Sequence, residues 1–267
     1  VSMAESGVHL IDLTLGEDPF FYKRHGFGSL VDLVKKVKKN TSLSVMISPG
    51  VVPEQVLRDL ATAGADWYAC YQETHNRGLF SRLRLNQEYD LRYSSKSNAM
   101  RNGLLVEDGI LAGVGETLSD IARSLECISK LGAHQARVMS FVPQKGTPME
   151  QWPTPPKIRE LLVIAVLRII LPDRLIPASL DVDGIEGLTA RINAGANVIT
   201  SLIPPQCGLS GVAQSTKDIN EGYRTVQGIT PVLKQMGITI ASLEDYSCWI
   251  KSEKEKLRML SREVGVI

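Results

Sequence analysis

The feature that most constrains this chain is its rhythm. Short apolar runs rich in strand-forming residues alternate, over nearly its whole length, with longer segments of helical periodicity. Residues 9–15 are such a run, followed by turn chemistry at Gly16-Glu17-Asp18-Pro19. Leu30, Val31, Leu33, Val34 and Val37 then mark a helix, with Ser29 as its expected cap. The unit repeats at once: 43–47 read as a strand, Ser48-Pro49-Gly50 as a turn, and 53–63 as a helix closed by Gly64. Further strands are expected at 67–71, 109–114, 136–142, 175–181 and 198–203. The helices expected between them are 89–102, 118–131, 157–171, 185–193 and 219–236, with a polar loop after 71.

Strands that alternate with helices pair in parallel through right-handed crossovers. About seven such units in succession predict an α/β chain of the (β/α)8 TIM-barrel type with one unit unaccounted for. The expected place of that unit is first, upstream of Val1, because the chain opens almost directly in a strand. Residues 1–267 read as a single domain, with a C-terminal helical extension from about position 237. That extension holds a short β-like run at 238–241 and a charged helix at 249–262, expected to be solvated.

Composition narrows the partners. With 30 basic and 29 acidic side chains the formal net charge is +1, so no long-range field favours nucleic acid or an anionic membrane. A small neutral or zwitterionic ligand suits such a surface better. The longest apolar stretch, 161–171, is 11 residues and is interrupted by Arg168, against the roughly 20 that a membrane helix needs. No secretory segment is visible and the expected location is cytoplasmic. The cysteines at 70, 127, 207 and 248 have no paired spacing, and a small buried hydrophobe is the expected role of each.

In a barrel, ligands bind at the carboxyl ends of the strands. Gly16-Glu17-Asp18-Pro19 there is either a plain turn or exposed backbone for an ammonium group. Tyr71-Gln72-Glu73-Thr74-His75-Asn76 is too polar for a strand interior. Glu73 with Arg92 would form a two-point clamp for an amino group and a carboxylate, or else both are solvated surface charges. The run Gly109-Ile110-Leu111-Ala112-Gly113-Val114-Gly115-Glu116 lacks dinucleotide spacing but would let a nucleoside approach the backbone closely. Ser179 and Asp181 share one face of their strand, and Arg137 lies on the strand before it. Burying Arg137 requires a counter-charge. Two readings stand for that set: an internal salt bridge, or a grip on the carboxylate and ammonium of an amino acid.

These residues carry a resemblance. The 109–116 run is similar to the G-x-I-x-G-x-x-E motif of radical S-adenosylmethionine (SAM) enzymes, with Leu111 for isoleucine, and Gly16-Glu17-Asp18 resembles their loop for the methionyl ammonium. Tyr71-Gln72-Glu73-Thr74, with Arg92 nineteen positions after Glu73, resembles the branch containing biotin synthase, the hydrogenase maturase HydE and methylornithine synthase. Val142-Pro143-Gln144-Lys145-Gly146-Thr147-Pro148 and Ala194-Gly195-Ala196-Asn197 extend the likeness over nearly the whole chain. Biotin synthase has an arginine near the position of 179–181 that this chain lacks. Arg137, Ser179 and Asp181 look instead like the amino-acid site of the methylornithine synthase family.

The resemblance implies a radical SAM barrel and two cofactors, S-adenosyl-L-methionine and a [4Fe-4S] cluster, with an electron donor as partner. The reaction implied is a mutase isomerisation of L-lysine to 3-methylornithine in pyrrolysine biosynthesis. By the same carry-over Gly16, Glu17, Asp18, Glu73, Arg92, Gly113 and Gly115 bind the cofactor, and Arg137, Ser179 and Asp181 bind substrate, with Asp12 and Ser48 as weaker candidates. The chain departs from the family in one respect: the C-x3-C-x2-C loop that holds the cluster is absent. In the family that loop follows the first barrel strand, the unit missing here. The expectation is therefore a fragment that is inactive alone. Alternatives are a HydE-like maturase and a cluster-free barrel that binds SAM or a partner.

Overall fold

The computed structural model describes residues 2–18, 20–205 and 216–263. Pro19 and Cys207, both singled out above, lie outside the described residues. In chain order the elements are α1 (Ser2–Glu5), β1 (Leu10–Thr14), α2 (Gly28–Asn40), β2 (Ser44–Ser48), α3 (Glu54–Thr62), β3 (Trp67–Ala69), α4 (Arg77–Leu83), α5 (Tyr89–Arg101) and β4 (Leu105–Ala112). They continue with α6 (Leu118–Leu131), β5 (Gln135–Ser140), α7 (Lys157–Ile170), β6 (Pro177–Ser179), α8 (Leu188–Asn193), β7 (Val198–Thr200), α9 (Val226–Gln235) and α10 (Leu243–Glu263). A π-helical turn at Phe20–His25 and a 3₁₀ turn at Gly184–Gly187 complete the set. The chain divides into two compact units: Val1–Cys70, Glu88–Glu107 and Ile240–Ile267 in the first, Tyr71–Gln87 and Asp108–Thr239 in the second. Both are built from parallel strands joined through helices, the α/β class that the alternation predicts.

In the first unit β1 pairs with β2, β2 with β3, and β3 with the first residues of β4, all parallel, with Thr14 opposite Ser48 and Ala69 opposite Glu107. β2 is buried throughout its apolar run, because Leu30 and Val34 of α2 and Leu57 and Leu60 of α3 are buried with it. Each such leucine contributes about 1.5–3 kcal/mol of transfer free energy. α2 begins at Gly28, with Phe27 rather than Ser29 at the cap position and no side-chain cap bond; Gly26 at φ +63° turns the chain into the helix earlier.

The C-terminal extension departs from expectation. α10 starts at Leu243 because Ser242 and Asp245 exchange bonds as a capping box, and 238–241 form no strand. One face is docked, not solvated: Trp249 stacks on Trp67 with ring centroids 5.9 Å apart, Ile250 and Leu257 are buried, and Lys254 Nζ lies 2.7 Å from Asp66 Oδ1.

In the second unit β6 and β7 pair with Ser179 opposite Thr200, Ala136 of β5 donates to Leu175 O ahead of β6, and Phe141 N after β5 donates to Ala112 O of β4. The core holds Ile110, Val138, Ile164, Leu167, Ile176, Leu188 and Leu233. α6 matches its expected limits because both ends are marked: Thr117 and Asp120 form a capping box, and Gly132 closes it at φ +72°. Three of the differences from the reading of the sequence are the clearest. β4 begins at Leu105, four residues early, through fully buried Glu107 and Asp108. The expected polar loop contains α4, capped by the Asn76 side chain on Leu79 N. The expected 219–236 helix begins only at Val226, where Thr225 caps Gly228 N after a turn through Gly222 at φ +76°.

Candidate functional site

In the first unit the loop after β1 carries Gly16 at φ +56° and Glu17 at φ +59°. A left-handed non-glycine residue persists only where its surroundings hold it. Glu17 is held by Arg92 of α5, with Nη1 to Oε1 at 2.5 Å and only 5% of the arginine side chain exposed. Gly50 makes room, since a Cβ at that position would collide with the Glu17 side chain. Asp18 accepts from Phe20 N. The inward face of α5 is polar: Arg92, Ser95 and Lys96 are all buried, and Ser95 meets the Tyr68 hydroxyl, which also donates to Gly50 O at 2.7 Å. Burial, and then the field of Cys70, hold the Tyr68 phenol well above its ordinary pKa. The two weaker substrate candidates touch, as Ser48 Oγ donates to Asp12 Oδ1 at 2.8 Å across neighbouring strands.

Glu73 belongs to the second unit. It too is left-handed, at φ +64°, and it bridges to Ile110 in parallel fashion through Glu73 N to Gly109 O and Leu111 N to Glu73 O. Arg84, which the sequence reading passed over, lies 2.5 Å from its carboxylate. The clamp expected from Glu73 and Arg92 is thus two ion pairs in two units, Glu73 with Arg84 and Arg92 with Glu17. Asp108 accepts from Gln72 N at 2.9 Å and Gly109 N at 2.8 Å, and its other oxygen lies 3.5 Å from His75 Nε2. His75 therefore belongs to a buried pair that fastens the Glu73 loop.

At the end of β4, Gly113 and Gly115 take φ +96° and +100°. The space beside Gly113 is filled by Pro155, and that beside Gly115 faces Trp152 and Leu79. The motif glutamate, Glu116, explains the loop: it accepts from Gly113 N and Val114 N, both at 2.8 Å, and pairs with Arg159 at 3.2 Å.

The amino-acid candidates come together within the second unit. Arg137 Nη1 donates to Thr200 Oγ1 at 3.1 Å, and its guanidinium carbon stands 5.7 Å from the centre of the Tyr71 ring. Gly109 makes this possible, because a Cβ there would press on both Tyr71 and Arg137. Thr200 lies opposite Ser179. The Ser179 hydroxyl lies 3.1 Å from that of Ser201 and accepts from Asp181 N at 3.2 Å. Asp181 has Arg224 Nη2 at 3.8 Å. Thr200, Ser201 and Arg224 were missed in the sequence. Period-two geometry could have found Thr200, on the strand after Ser179, but nothing local announces Arg224.

Each unit holds groups whose chemistry suits part of SAM: a left-handed glutamate for an ammonium beside an arginine for a carboxylate, Glu17 with Arg92 in the first and Glu73 with Arg84 in the second. The donor set does not fit the cluster. Among the described residues no group of three or more Cys, His, Asp or Glu is arranged to hold a metal, and Cys70, Cys127 and Cys248 are separate free thiols.

No protein-family model matches the chain. It is 40% identical to the 3-methylornithine synthase of Methanosarcina acetivorans over 241 residues, which is 90% of this chain and 68% of that protein. To the [FeFe] hydrogenase maturase subunit HydE of Thermotoga maritima it is 29% identical over 196 residues, 72% of this chain and 55% of that protein. The crystal structure of a methylornithine synthase (PylB) superposes with a TM-score of 0.86 at 40% identity, covering 92% of this chain and 73% of that one. Its radical SAM relatives use SAM and a [4Fe-4S] cluster. The parallel strands and this superposition give the chain a partial TIM-type α/β fold, and the chain belongs to the 3-methylornithine synthase family of radical SAM enzymes.

Proposed function

We propose that this chain supplies the substrate-orienting part of a radical SAM mutase that isomerises L-lysine to 3-methylornithine in pyrrolysine biosynthesis. The observation that carries the reading is the set of Arg137, Thr200, Ser179 and Asp181 in one unit, with Arg137 inside β5, Ser179 and Thr200 at the ends of β6 and β7, and Asp181 just beyond β6. Arg137 would take the substrate carboxylate, Asp181 its α-ammonium, and Ser179 would hold the Asp181 backbone in place. In the first unit Asp12 and Ser48, bonded to one another, would offer an acceptor to an amine. In the family SAM supplies the radical, and the protein supplies orientation. In the first unit Glu17 and Arg92, with the backbone of Gly16 and Asp18, would offer groups suited to its methionyl end; in the second, Glu73 would offer another, and the backbone of Gly113 and Gly115 suits its adenosine. We infer one barrel domain, with α10 as its C-terminal extension, in a cytoplasmic protein served by an electron donor.

The test is direct binding of L-lysine and 3-methylornithine to the chain and to its Arg137→Ala variant. The variant should lose at least about tenfold in affinity, as loss of a charge-assisted contact implies; unchanged affinity would refute the assignment.

The scattered cysteines favour a chain that by itself builds no cluster and has no turnover. Anaerobic reconstitution beside the Methanosarcina acetivorans enzyme should give iron and sulfide only in the latter. Stoichiometric iron and sulfide in this chain would overturn that reading. A chain that takes up no iron yet binds SAM, but not lysine, would support instead a cluster-free SAM-binding barrel.

A further inference from the structure

Arg224 is fully buried, yet no motif or strand carries it; it lies in the turn that precedes α9. Its Nε donates to Ser201 O at 3.0 Å, its Nη2 stands 3.8 Å from Asp181 Oδ1, and its own carbonyl accepts from Ile203 N at 2.7 Å. Its backbone N donates to Asp218 O at 3.2 Å. Ser201 is left-handed, at φ +65°, and its hydroxyl faces that of Ser179. The guanidinium therefore joins the end of β7 to the carboxylate that follows β6. The planar fork is anchored by its Nε bond to Ser201 O, which leaves Nη2 facing Asp181 at ion-pair distance, an arrangement that a lysine ammonium does not reproduce.

We propose that Arg224 is a positioning residue for the amino-acid site: it holds Asp181 ionised and correctly aimed at the ligand's α-ammonium. The inference rests on the reading of Asp181 given above. A buried carboxylate without a neighbouring cation tends to take up a proton, and a protonated Asp181 would no longer attract an ammonium. Arg224 supplies that cation from behind, on the Ser201 side, while Arg137 on β5 is engaged with Thr200 and Tyr71. The two arginines thus have separate tasks, one toward a carboxylate ligand and one toward the protein's own carboxylate.

A purely structural arginine and a positioning arginine predict different selectivity. L-Lysine and 6-aminohexanoate, which is lysine without its α-amino group, are titrated calorimetrically into the 267-residue chain and into its Arg224→Met and Arg224→Lys variants. Arg224→Met should weaken lysine about tenfold, the scale of a hydrogen bond to a charged group, and leave 6-aminohexanoate within about twofold. Equal losses for both ligands, or no loss for lysine, would overturn the proposal. Should Arg224→Met fail to fold, Arg224→Lys decides alone, because it keeps the buried charge: a lysine-selective loss of about threefold is expected, and a uniform or absent loss overturns. If the unmodified chain binds neither ligand, the amino-acid reading of the site itself falls, whatever the variants do.

Discussion

Replacing Arg191 by methionine would leave a buried carboxylate without its cation, and the structure sets the scale of the result. Arg191 Nε lies 2.5 Å from Glu160 Oε1, and its Nη2 reaches Glu160 Oε2 at 3.3 Å and Asp183 Oδ2 at 3.2 Å. Only 5% and 6% of the Arg191 and Glu160 side chains are exposed. Burial opposes the arginine's charge, but its bonds to Glu160 and the fields of Glu160 and Asp183 outweigh burial and raise its pKa. Breaking such a pair costs about 3–5 kcal/mol, most of it the stranded charge. Ser140 Oγ still donates to Glu160 at 2.6 Å, so the lower end, about 3 kcal/mol, applies to Arg191→Met. At roughly 2–4 °C per kcal/mol for a chain of this size, Tm should fall by about 6–12 °C. Glu160→Met with Arg191→Met should regain most of this, because an apolar pair of similar volume carries no desolvation penalty. Differential scanning calorimetry of the two single variants and the double variant gives the coupling directly. Singles within about 1 kcal/mol of the parent, or a double variant as unstable as the sum, would refute the reasoning.

Asp120 is held below the usual carboxylate range, first by the Thr117 backbone N–H, then by the Thr117 hydroxyl and Asn76. A depressed folded-state pKa means that its stabilisation is present above the unfolded pKa and lost as pH falls through the folded value. Acid titration followed by NMR at Asn76 and Leu118 should therefore show the α6 cap releasing below the ordinary Asp range, and Asp120→Asn should abolish that transition. Gly113→Ala should destabilise by about 1–3 kcal/mol in urea unfolding, since it strains a φ of +96° and drives a Cβ into Pro155; a change under about 0.5 kcal/mol would contradict the packing described. Trp249→Ala should loosen α10 by about 0.5–1.5 kcal/mol, visible as faster amide exchange across 243–260, because it removes the stack on Trp67. Exchange unchanged from the parent would mean that the helix is held elsewhere.

How much was legible in the sequence depended on whether each signal was local. All seven strands of the described residues fall on or beside expected runs. α6 was bounded to the residue because Thr117, Asp120 and Gly132 act within one turn of its ends. The 219–236 helix was overextended because apolar spacing outweighed Thr225 and Gly222, whose cap and positive φ stop helix formation before Val226. α4 was hidden in a polar stretch because Asn76 was weighed only as a site residue and not as a cap.

The larger failures cluster where charge is buried, and this has a physical reason. Binary patterning assumes that carboxylates and guanidinia face water. Glu107 and Asp108 therefore hid the first half of β4, and Arg92, Ser95 and Lys96 gave α5 a buried face that no apolar stripe marks. Arg224 lies in a turn, where period says nothing, and is placed by tertiary contacts, among them those to Ser201 and Asp181. A soluble core has no use for such charges unless each meets a partner, since leaving one unmatched costs several kcal/mol. Residues that break local rules while remaining fully buried are accordingly expected at functional sites. Two of them pair with carboxylates that the resemblance assigns to ligands, Arg92 with Glu17 in the first unit and Arg224 with Asp181 in the second. The late start expected for β4 and the helix expected across the turn before α9 thus share one cause, buried charge that apolar periodicity does not register, whereas α5 was legible as a helix and only its buried polar face was not.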